Sequence, residues 1–405
     1  MTTPDTGGAV LPIGRRVARL RTRLGMSQQV FADRVGRSTS WVDKVERGVR
    51  QLDRLSVIEL VADALGVTPT VLLDHDDRRG PALAVAASVE RVRAALACYD
   101  TPTVGGGRPA PEELVGQVGY AWAAYAHAQH LQVVTMLPDL LGAARHAAPS
   151  TRPGPAVDLL ARVYRLAAQV LVKLGEPELA WLAADRAIAA AGHDPRRTGR
   201  AVVPLAQALR GLDRGRLAMT AAVTAVHRLC PPPSREPAPG DAPLAGTLLV
   251  QAALAAAACG DAGSAHELTA RAARLAQGYG DQPDGGSGEI GFGATVVDLG
   301  RALVSLELGE NERAVATHLD VTGGDAWPRL PAEHRAAHLI DVSRAHLNVG
   351  DHRAAGHALV TADRLAPAET RLRPAARAAL TAVLRSGPPR ADVAGLAAAV
   401  GLAPG

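Results

Sequence analysis

The sequence predicts an all-α protein made of two different helical parts, and three observations support this fold class. Residues 26–48 (MSQQVFADRVGRSTSWVDKVERG) have the spacing of two short helices joined by a tight turn. Beyond residue 112, alanine-rich helical segments are repeatedly interrupted by a glycine followed by an acidic residue. Aromatic residues make up only 3% of a 405-residue chain that is 47% hydrophobic. This balance favours closely packed helices over strands, and the length favours two or more domains.

The two short helices of residues 26–48 are defined by their ends. Ser27 and Ser38 are predicted N-caps, because a serine hydroxyl can accept a hydrogen bond from an unpaired backbone N–H at a helix start. Gly36 is placed where the chain turns sharply, since a positive φ costs little only for glycine. Gly48 is predicted to end the second helix. The side chains expected to point inward are Val30, Val35, Val42 and Val45.

Flanking helices extend this motif to a five-helix domain over residues 11–73. A first helix is predicted from apolar residues at helical spacing, namely Ile13, Val17, Leu20 and Leu24. Its outer face is expected to hold Arg15, Arg16, Arg19, Arg21 and Arg23. A fourth helix is predicted from Asp53 to Leu65. Thr68 and Pro69 then supply an N-cap and a first helical residue for a short fifth helix ending at Leu73.

Several short matches in this domain are typical of one family: Ser27-Gln28, Gly36, the Val42/Val45 pair, Glu46-Arg47-Gly48 and Leu65-Gly66-Val67. On these residues the domain resembles the phage-repressor (Cro/C1, or Xre) helix-turn-helix family. The resemblance implies a domain that places the second helix of the motif in the DNA major groove. The alternative is a domain retained for dimerisation alone. Residues 11–73 hold eleven basic and six acidic residues, so the positive charge lies where phosphate contacts are expected.

The resemblance implies that bases are read from the first turns of the third helix. Carried onto this sequence, it points to Thr39, Ser40 and Lys44 as base contacts and to Gln28 as a phosphate contact. Trp41 either touches the sugar–phosphate or a thymine methyl, or packs within the domain. The full predicted set of DNA-binding residues is Gln28, Ser38, Thr39, Ser40, Trp41, Lys44, Arg47 and Arg50.

Asp43 departs from the small polar residue that is common at its position in this family. It either accepts a hydrogen bond from cytosine N4 or pairs with Arg47 four residues later. We favour the ion pair, which would leave Arg47, with Arg50, as a contact to the DNA backbone.

The long C-terminal part is predicted to be an array of antiparallel helix pairs. Four turns align on Gly175, Gly260, Gly309 and Gly350, and Asp213 takes the place of the glycine in a fifth. Small residues recur seven before, five after and twelve after the turn, for example Ala168, Ala180 and Ala187, or Ser343, Ala355 and Ala362. This pattern looks like the tetratricopeptide repeat, although the spacing exceeds the usual ~34 residues. The alternative is an irregular all-α domain.

The predicted domain boundaries follow from these two patterns. We expect a disordered tail over 1–10, the DNA-binding domain over 11–73, a connector with one helix over 74–111, and the repeat domain over 112–405. Within the last, 112–147 is a candidate degenerate first pair and 370–402 a capping segment. The connector helix carries Val85, Val89, Val92 and Leu96 in one stripe. It either docks the repeats onto the DNA-binding domain or forms a dimer seam.

Other classes of protein find little support in the sequence. Three widely separated cysteines give neither a disulfide framework nor a zinc motif. The start of the chain has no secretory signal pattern, and the apolar run 244–259 is short, so we expect a cytoplasmic protein without membrane contact. The pairs His127/His130 and His334/His338 lack a metal-binding pattern. With no nucleophile elbow, phosphate-binding loop or dinucleotide fingerprint, we expect no enzymatic activity and no cofactor.

The layout as a whole resembles regulators of Gram-positive bacteria, whose better-known members sense short peptides. We therefore expect a homodimeric transcription regulator that binds double-stranded operator DNA and whose repeats sense a small molecule or peptide. The alternative is a DNA-tethered protein-interaction scaffold without a small effector. An anionic ligand is predicted on the concave face, because arginine matches a carboxylate bidentately. The predicted ligand residues are Arg162, Arg165, Gln169, Gln207, Arg210 and Arg344. Their alternative role is to pair with internal carboxylates or to face solvent.

Overall fold

The structure, a computed structural model, describes residues 13–50, 55–67, 80–98, 110–148, 154–230, 237–277 and 291–402. Within these ranges the protein forms twenty α-helices and two short 3-10 turns, with no β-strand. The predicted all-α fold class is therefore confirmed. The chain divides into two compact units, Met1–Leu83 and Ala84–Gly405. The predicted tail over 1–10 and the predicted fifth helix over 69–73 lie outside the described residues.

The first unit contains the predicted pair of short helices with the expected caps. Its helices are α1 (Ile13–Arg23), α2 (Gln28–Val35), α3 (Thr39–Glu46) and α4 (Leu55–Leu65). The Ser27 hydroxyl accepts from the Val30 backbone N–H, and the Ser38 hydroxyl accepts from the Trp41 N–H, both at 3.2 Å. Gly36 is left-handed, with φ 63° and ψ 40°. The serine caps and the glycine turn predicted from the sequence are confirmed.

The core of the first unit differs from the prediction at two apolar residues. Helix α2 buries Phe31, Ala32 and Val35, whereas Val30 is 45% exposed. The prediction for Val30 was wrong because the buried arc of this helix begins one residue later, a rotation of about 100°. Leu24 is 52% exposed because α1 ends at Arg23 and the chain has already turned.

The second unit is an array of helix pairs that follow one another along the chain. After α5 (Gly80–Ala97), the pairs are α6 (Pro111–Ala126) with α7 (His130–Ala147), α8 (Pro155–Lys173) with α9 (Pro177–Ala191), α10 (Pro195–Gly211) with α11 (Gly215–Leu229), α12 (Ala242–Ala258) with α13 (Ala262–Ala276), α14 (Ala294–Glu307) with α15 (Asn311–Thr322), and α16 (Ala332–Asn348) with α17 (His352–Leu365). The C-terminal helices are α18 (Pro367–Leu372), α19 (Pro374–Arg385) and α20 (Ala391–Ala399). Each pair packs on itself and on the next pair.

The turns within the pairs explain the repeated glycines. Gly175, Gly260, Gly309 and Gly350 all have φ between 75° and 81°. Asp213 occupies the same position with φ 57°, as the alignment predicts, and Ala128 does so in the turn of α6 and α7 with φ 57°. Residues 112–147 are therefore a true first pair whose turn lacks the glycine signal.

The predicted small residues lie where neighbouring helices approach closely. The aligned alanines and serine are all fully or almost fully buried, for example Ala168, Ala180, Ala265, Ala314, Ser343 and Ala355. Val321 is the exception among the aligned positions and is half-buried. Small side chains at these places allow helix axes to come close, which is the packing expected of a tetratricopeptide-like array.

The connector helix α5 contributes to the core of the second unit. Val89, Val92 and Leu96 are buried against residues of the first two helix pairs, and Val85 packs partly against the same core. The apolar stripe predicted from the sequence therefore covers the first end of the array.

The array curls until its first and last parts touch. Leu372 of α18 packs onto the core of the first pairs, and Ala128 belongs to the core of the last helices. The turn after α8 is also close to α19, since a Cβ placed on Gly175 would lie 2.6 Å from Pro374 Cγ. The first helices of the six pairs consequently surround a central space.

We predict that Ala355→Leu lowers the free energy of unfolding by ~1–3 kcal/mol, because the larger side chain overpacks a fully buried contact of α17. Chemical denaturation of the full-length protein measures the change. The matched control is Ala270→Leu, which adds the same group to an exposed position on α13 and should change stability by less than about 0.5 kcal/mol. Equal effects of the two substitutions would contradict the packing described here.

Candidate functional site

A buried carboxylate fixes the third helix of the first unit onto the first helix. Glu46 is 5% exposed and accepts from Arg21 Nε at 2.6 Å and from Arg21 Nη2 at 3.1 Å. Arg21 also donates to the Met26 carbonyl at 2.6 Å. These bonds to Glu46 raise the pKa of the Arg21 guanidinium despite partial burial. The prediction that Arg21 lies on the outer face was therefore wrong, because Glu46 draws its guanidinium inward.

The same carboxylate also holds the second helix. Gln28 Nε2 donates to Glu46 Oε2 at 2.8 Å. Glu46 thus joins α1, α2 and α3 through a single carboxylate. Because a primary amide has two N–H groups, one N–H of Gln28 remains for a further acceptor such as a phosphate.

The outer face of α3 carries polar and basic side chains, opposite its buried face. Val42, Val45 and Glu46 are buried, Thr39 and Asp43 are half-buried, and the exposed residues in and beside this helix are Ser38, Ser40, Lys44, Arg47 and Arg50. Arg47 Nη1 lies 3.4 Å from Asp43 Oδ2, so the ion pair favoured by the sequence spacing is present. Since both partners are solvated, this pair holds Arg47 only weakly.

Trp41 combines the two alternatives that the sequence leaves open. Its side chain is half-buried and packs against the edge of the core of the first unit. The Arg37 guanidinium lies 6.0 Å from the centre of its ring. Part of the indole therefore packs against the core, and the remainder lies at the surface beside the start of α3.

The central space of the second unit is a cavity of about 490 Å³. The first helix of each of the six pairs contributes to its wall, and Arg373, which joins α18 to α19, is also part of it. Its apolar side is formed mainly by α12 and α14, whereas α8, α10 and α16 supply most of the polar groups. The principal polar lining residues are Gln169, Lys173, Gln207, Arg210, Gln251, Glu333, Asp341 and Arg373.

The cavity brings together three of the six predicted ligand residues: Gln169, Gln207 and Arg210. Arg162, Arg165 and Arg344 are not among its lining residues. Arg165 is buried with its guanidinium 4.5 Å from the centre of the Trp122 ring. Arg344 is about half exposed and pairs with Glu307 at 3.2 Å. Counting back from the turns located the facing helices correctly, but rotation about each helix axis decides which side chains enter the cavity.

A buried charge network, which the sequence analysis did not predict, lies beside the cavity. Glu369 is fully buried and accepts from His130 Nε2 at 2.5 Å and from Arg373 Nη1 at 3.2 Å. Lys173 Nζ lies 3.2 Å from the same carboxylate and also pairs with Glu333. Arg373 Nη2 reaches Asp341 at 3.3 Å. The network therefore connects α7 and α8 with α16, with α18 and with Arg373 at the junction of α18 and α19.

The attraction between the cations and carboxylates of this network determines which of its groups are charged. Burial acts to raise the pKa of Glu369, but Lys173, His130 and Arg373 outweigh it and hold the pKa far below its usual range. Burial likewise opposes the charge of Lys173, yet Glu333 and Glu369 raise its pKa. Both groups are charged at neutral pH, so the cations and carboxylates of this network neutralise one another.

Arg210 differs from the other two cations of the cavity wall. It forms no ion pair with any residue in the described ranges, and its Nε is buried without a hydrogen-bond partner among them. Burial lowers the pKa of Arg210, partly offset by the more distant Glu307 and Asp341. Those two carboxylates are themselves paired with Arg344 and Arg373.

Residues 12–75 match the family model described as a helix-turn-helix domain. The chain carries an N-terminal helix-turn-helix domain. The predicted domain type is thereby confirmed, and the predicted array of helix pairs is present in the second unit. The comparison with curated protein sequences gives no significant match.

The solved structures that are similar to large parts of the chain include the following two. One is Bacillus thuringiensis PlcR in complex with the peptide PapR7 and DNA, at 14% identity over 65% of this chain and 94% of that chain, with a TM-score of 0.33. The other is aspartyl phosphate phosphatase F from Bacillus subtilis, at 14% identity over 90% of this chain and 96% of that chain, with a TM-score of 0.44. Because both TM-scores are below 0.5, these likenesses carry no functional conclusion.

Three histidines of the repeat unit form a cluster at the edge of the cavity. His318 Nδ1 and His338 Nε2 lie 3.0 Å apart, and His346 meets the His318 ring edge-on. Burial lowers the pKa of His318 to about 4 and that of His338 to about 3, with the neighbouring imidazoles adding to the effect.

Among the described residues, no group of three or more histidine, cysteine or acidic side chains has a geometry that could hold a metal ion. None of the described helices is long and apolar enough to cross a membrane.

We predict that acidification from pH 7 to pH 5 destabilises the protein through this cluster. His318 and His338 stay neutral in the folded state but take up a proton near pH 6.5 when unfolded. Their contribution to stability is therefore complete above about pH 6.5 and decreases as the pH falls towards their folded-state pKa values. The expected loss is roughly 1–2 kcal/mol per histidine at pH 5. Urea denaturation at the two pH values measures it.

The control for this prediction is the double variant His318→Asn with His338→Gln, which keeps polar groups but removes both titrating imidazoles. Its stability should change less between pH 7 and pH 5 than that of the wild type. If both proteins lose the same stability, the loss does not come from this cluster.

Proposed function

We propose that the protein is a sequence-specific DNA-binding transcription regulator whose helix α3 enters the major groove. The observation that carries this proposal is the outer face of α3, where Ser40, Lys44 and Arg47 are exposed while Glu46 locks the inner face to α1 and α2. A recognition helix needs this combination, because base edges are read only by side chains held in a fixed register. The net positive charge of the domain supports phosphate contact as well.

Each predicted DNA-binding residue has a proposed role in the complex with operator DNA. Thr39, Ser40 and Lys44 read base edges, since they lie at the start and on the outside of α3. The proposed contacts to the sugar–phosphate backbone are the second N–H of Gln28, the hydroxyl of Ser38, the exposed part of Trp41, and the guanidinium groups of Arg47 and Arg50. We further propose that two copies bind together, because one such domain buries too little surface for tight specific binding.

The repeat unit is proposed to sense a small effector held in its central cavity. A partly open cavity of about 490 Å³ with a few convergent polar groups has the size and lining of a small-molecule site. A protein-interaction scaffold would instead present an open groove, whereas here the contacts of Glu369 and Pro374 bring the last helices against the first pairs. Effector binding would then bias the arrangement of the two copies on DNA.

We expect Lys44→Ala to weaken specific DNA binding by ~1–3 kcal/mol and to relax the preference at one base position, if Lys44 reads a guanine. The operator is first obtained by selecting from a random DNA library with the full-length protein, and affinity is then measured by fluorescence anisotropy. Equal operator affinity for the wild type and a Thr39/Ser40/Lys44 triple alanine variant would exclude this base-reading role.

Arg47→Ala should have a different effect, because a backbone contact carries no sequence information. We expect all DNA sequences to bind more weakly by a similar factor. The slope of log K against log [salt] should become shallower by about one unit. Titrations at several salt concentrations with operator and random DNA make this comparison. Arg353→Ala, an exposed arginine of the repeat unit, is the control and should leave the slope unchanged.

A further inference from the structure

The polar groups of the central cavity are not all satisfied by the protein itself. Gln169 and Gln251 are 7% and 9% exposed, and the side-chain oxygen of each is buried without a hydrogen-bond partner among the described residues. Arg210 Nε is in the same condition. Trp122 Nε1 and His338 Nδ1, in two further lining residues, are also buried without such a partner. Because buried polar groups are nearly always hydrogen-bonded in native proteins, five such groups in the wall of one cavity indicate a ligand that pairs with some of them.

The charge of the ligand follows from the pairing of the cavity cations. Lys173 is neutralised by Glu333 and Glu369, and Arg373 by Asp341 and Glu369. Arg210 alone among the lysines and arginines lining the described cavity lacks a carboxylate within ion-pair distance. One unpaired guanidinium favours one negative charge, and a planar carboxylate is the group that it binds bidentately. A dianion would pair with Arg210 through only one of its two negative charges.

The amides on the wall favour an amide in the ligand. Gln169 on α8, Gln207 on α10 and Gln251 on α12 come from consecutive first helices. A glutamine amide has both an acceptor oxygen and two donor N–H groups, so a ligand group that both donates and accepts can pair with neighbouring glutamines. A peptide-type amide is such a group, whereas a simple hydrocarbon acid would leave these side chains unpaired.

The apolar residues that line the cavity determine the rest of the ligand. Val250, Leu254, Val296, Leu299 and Leu303 supply an apolar wall. Burying a hydrocarbon chain there contributes in proportion to the apolar area removed from water. The volume of about 490 Å³ lies in the range typical of small-molecule sites.

We propose that the cavity binds a small monocarboxylic acid that carries one amide and an apolar chain, as in an N-acyl amino acid. The carboxylate lies on Arg210, the amide lies between Gln169, Gln207 and Gln251, and the chain lies against Leu299 and Leu303. This assignment rests on the proposed function, in that it names the class of effector held by the same cavity.

The test uses three probes with the full-length protein in isothermal titration calorimetry. N-octanoylglycine has all three features, its methyl ester lacks the charge, and N-octanoylsarcosine lacks the amide N–H. We expect the acid to bind at least tenfold more tightly than the ester and more tightly than the sarcosine analogue. No binding of the acid at millimolar concentration would overturn the proposal, as would tighter binding of the ester.

Variants assign these preferences to residues. Arg210→Met should remove the preference for acid over ester, whereas Arg210→Lys should keep part of it. Gln251→Leu should reduce the discrimination between N-octanoylglycine and N-octanoylsarcosine. Arg353→Met changes an exposed residue and Gln117→Leu a half-buried one; neither residue lines the cavity, and both variants should match the wild type. Unchanged preferences in correctly folded Arg210→Met, verified by circular dichroism, would refute the carboxylate site.

Operator affinity separates this inference from the proposed function. Binding of N-octanoylglycine through Arg210 without any change in operator affinity would support the ligand class and contradict sensing. A change in operator affinity caused by a ten-residue peptide, with no binding of the acid, would support sensing and overturn the ligand class.

Discussion

The repeat unit depends on one buried carboxylate. Glu369 is fully buried, yet it stays ionised because His130, Lys173 and Arg373 surround it. Two of these three bases come from the first two helix pairs, so the contact unites the ends of the array. Removing one partner of such a buried network typically costs ~3–5 kcal/mol, because the remaining charges stay desolvated. The closure of the array, and with it the central cavity, therefore depends on electrostatics as well as on alanine packing.

Local rules explain why much of the fold could be predicted from the sequence. The caps Ser27 and Ser38 and the turn at Gly36 are set by interactions within a few residues, and all three are present. Asp213 could be placed in a glycine position because the small residues around it kept the spacing of the other turns. Where the signal depended on helix rotation, as at Val30 and Arg21, the prediction was wrong because the tertiary partner selects the buried face.

The residues of the candidate sites likewise divide into those that local spacing predicts and those that only tertiary contacts determine. Gln169, Gln207 and Arg210 could be located by counting back from the turns, because the first helix of each pair faces inward. Gln251 and Arg373 were missed. The pairing of His130 with Glu369 joins residues 239 positions apart. No local pattern encodes such a pair, and a histidine and a glutamate are each unremarkable where they occur. In the helix-turn-helix domain, the outer face of α3 could be predicted because a short amphipathic helix has one buried side.

The closure through Glu369 also sets an order of events during synthesis. Lys173 lies 196 residues before Glu369. At ~5–20 residues per second, the ribosome needs roughly 10–40 s between making the lysine and making the carboxylate. During that interval the first helix pairs can fold, but Lys173 and His130 lack the carboxylates that they contact in the complete array. The nascent array must remain open, with these groups in water, until α16 to α19 emerge, so the cavity forms only as a late event in the life of each new chain.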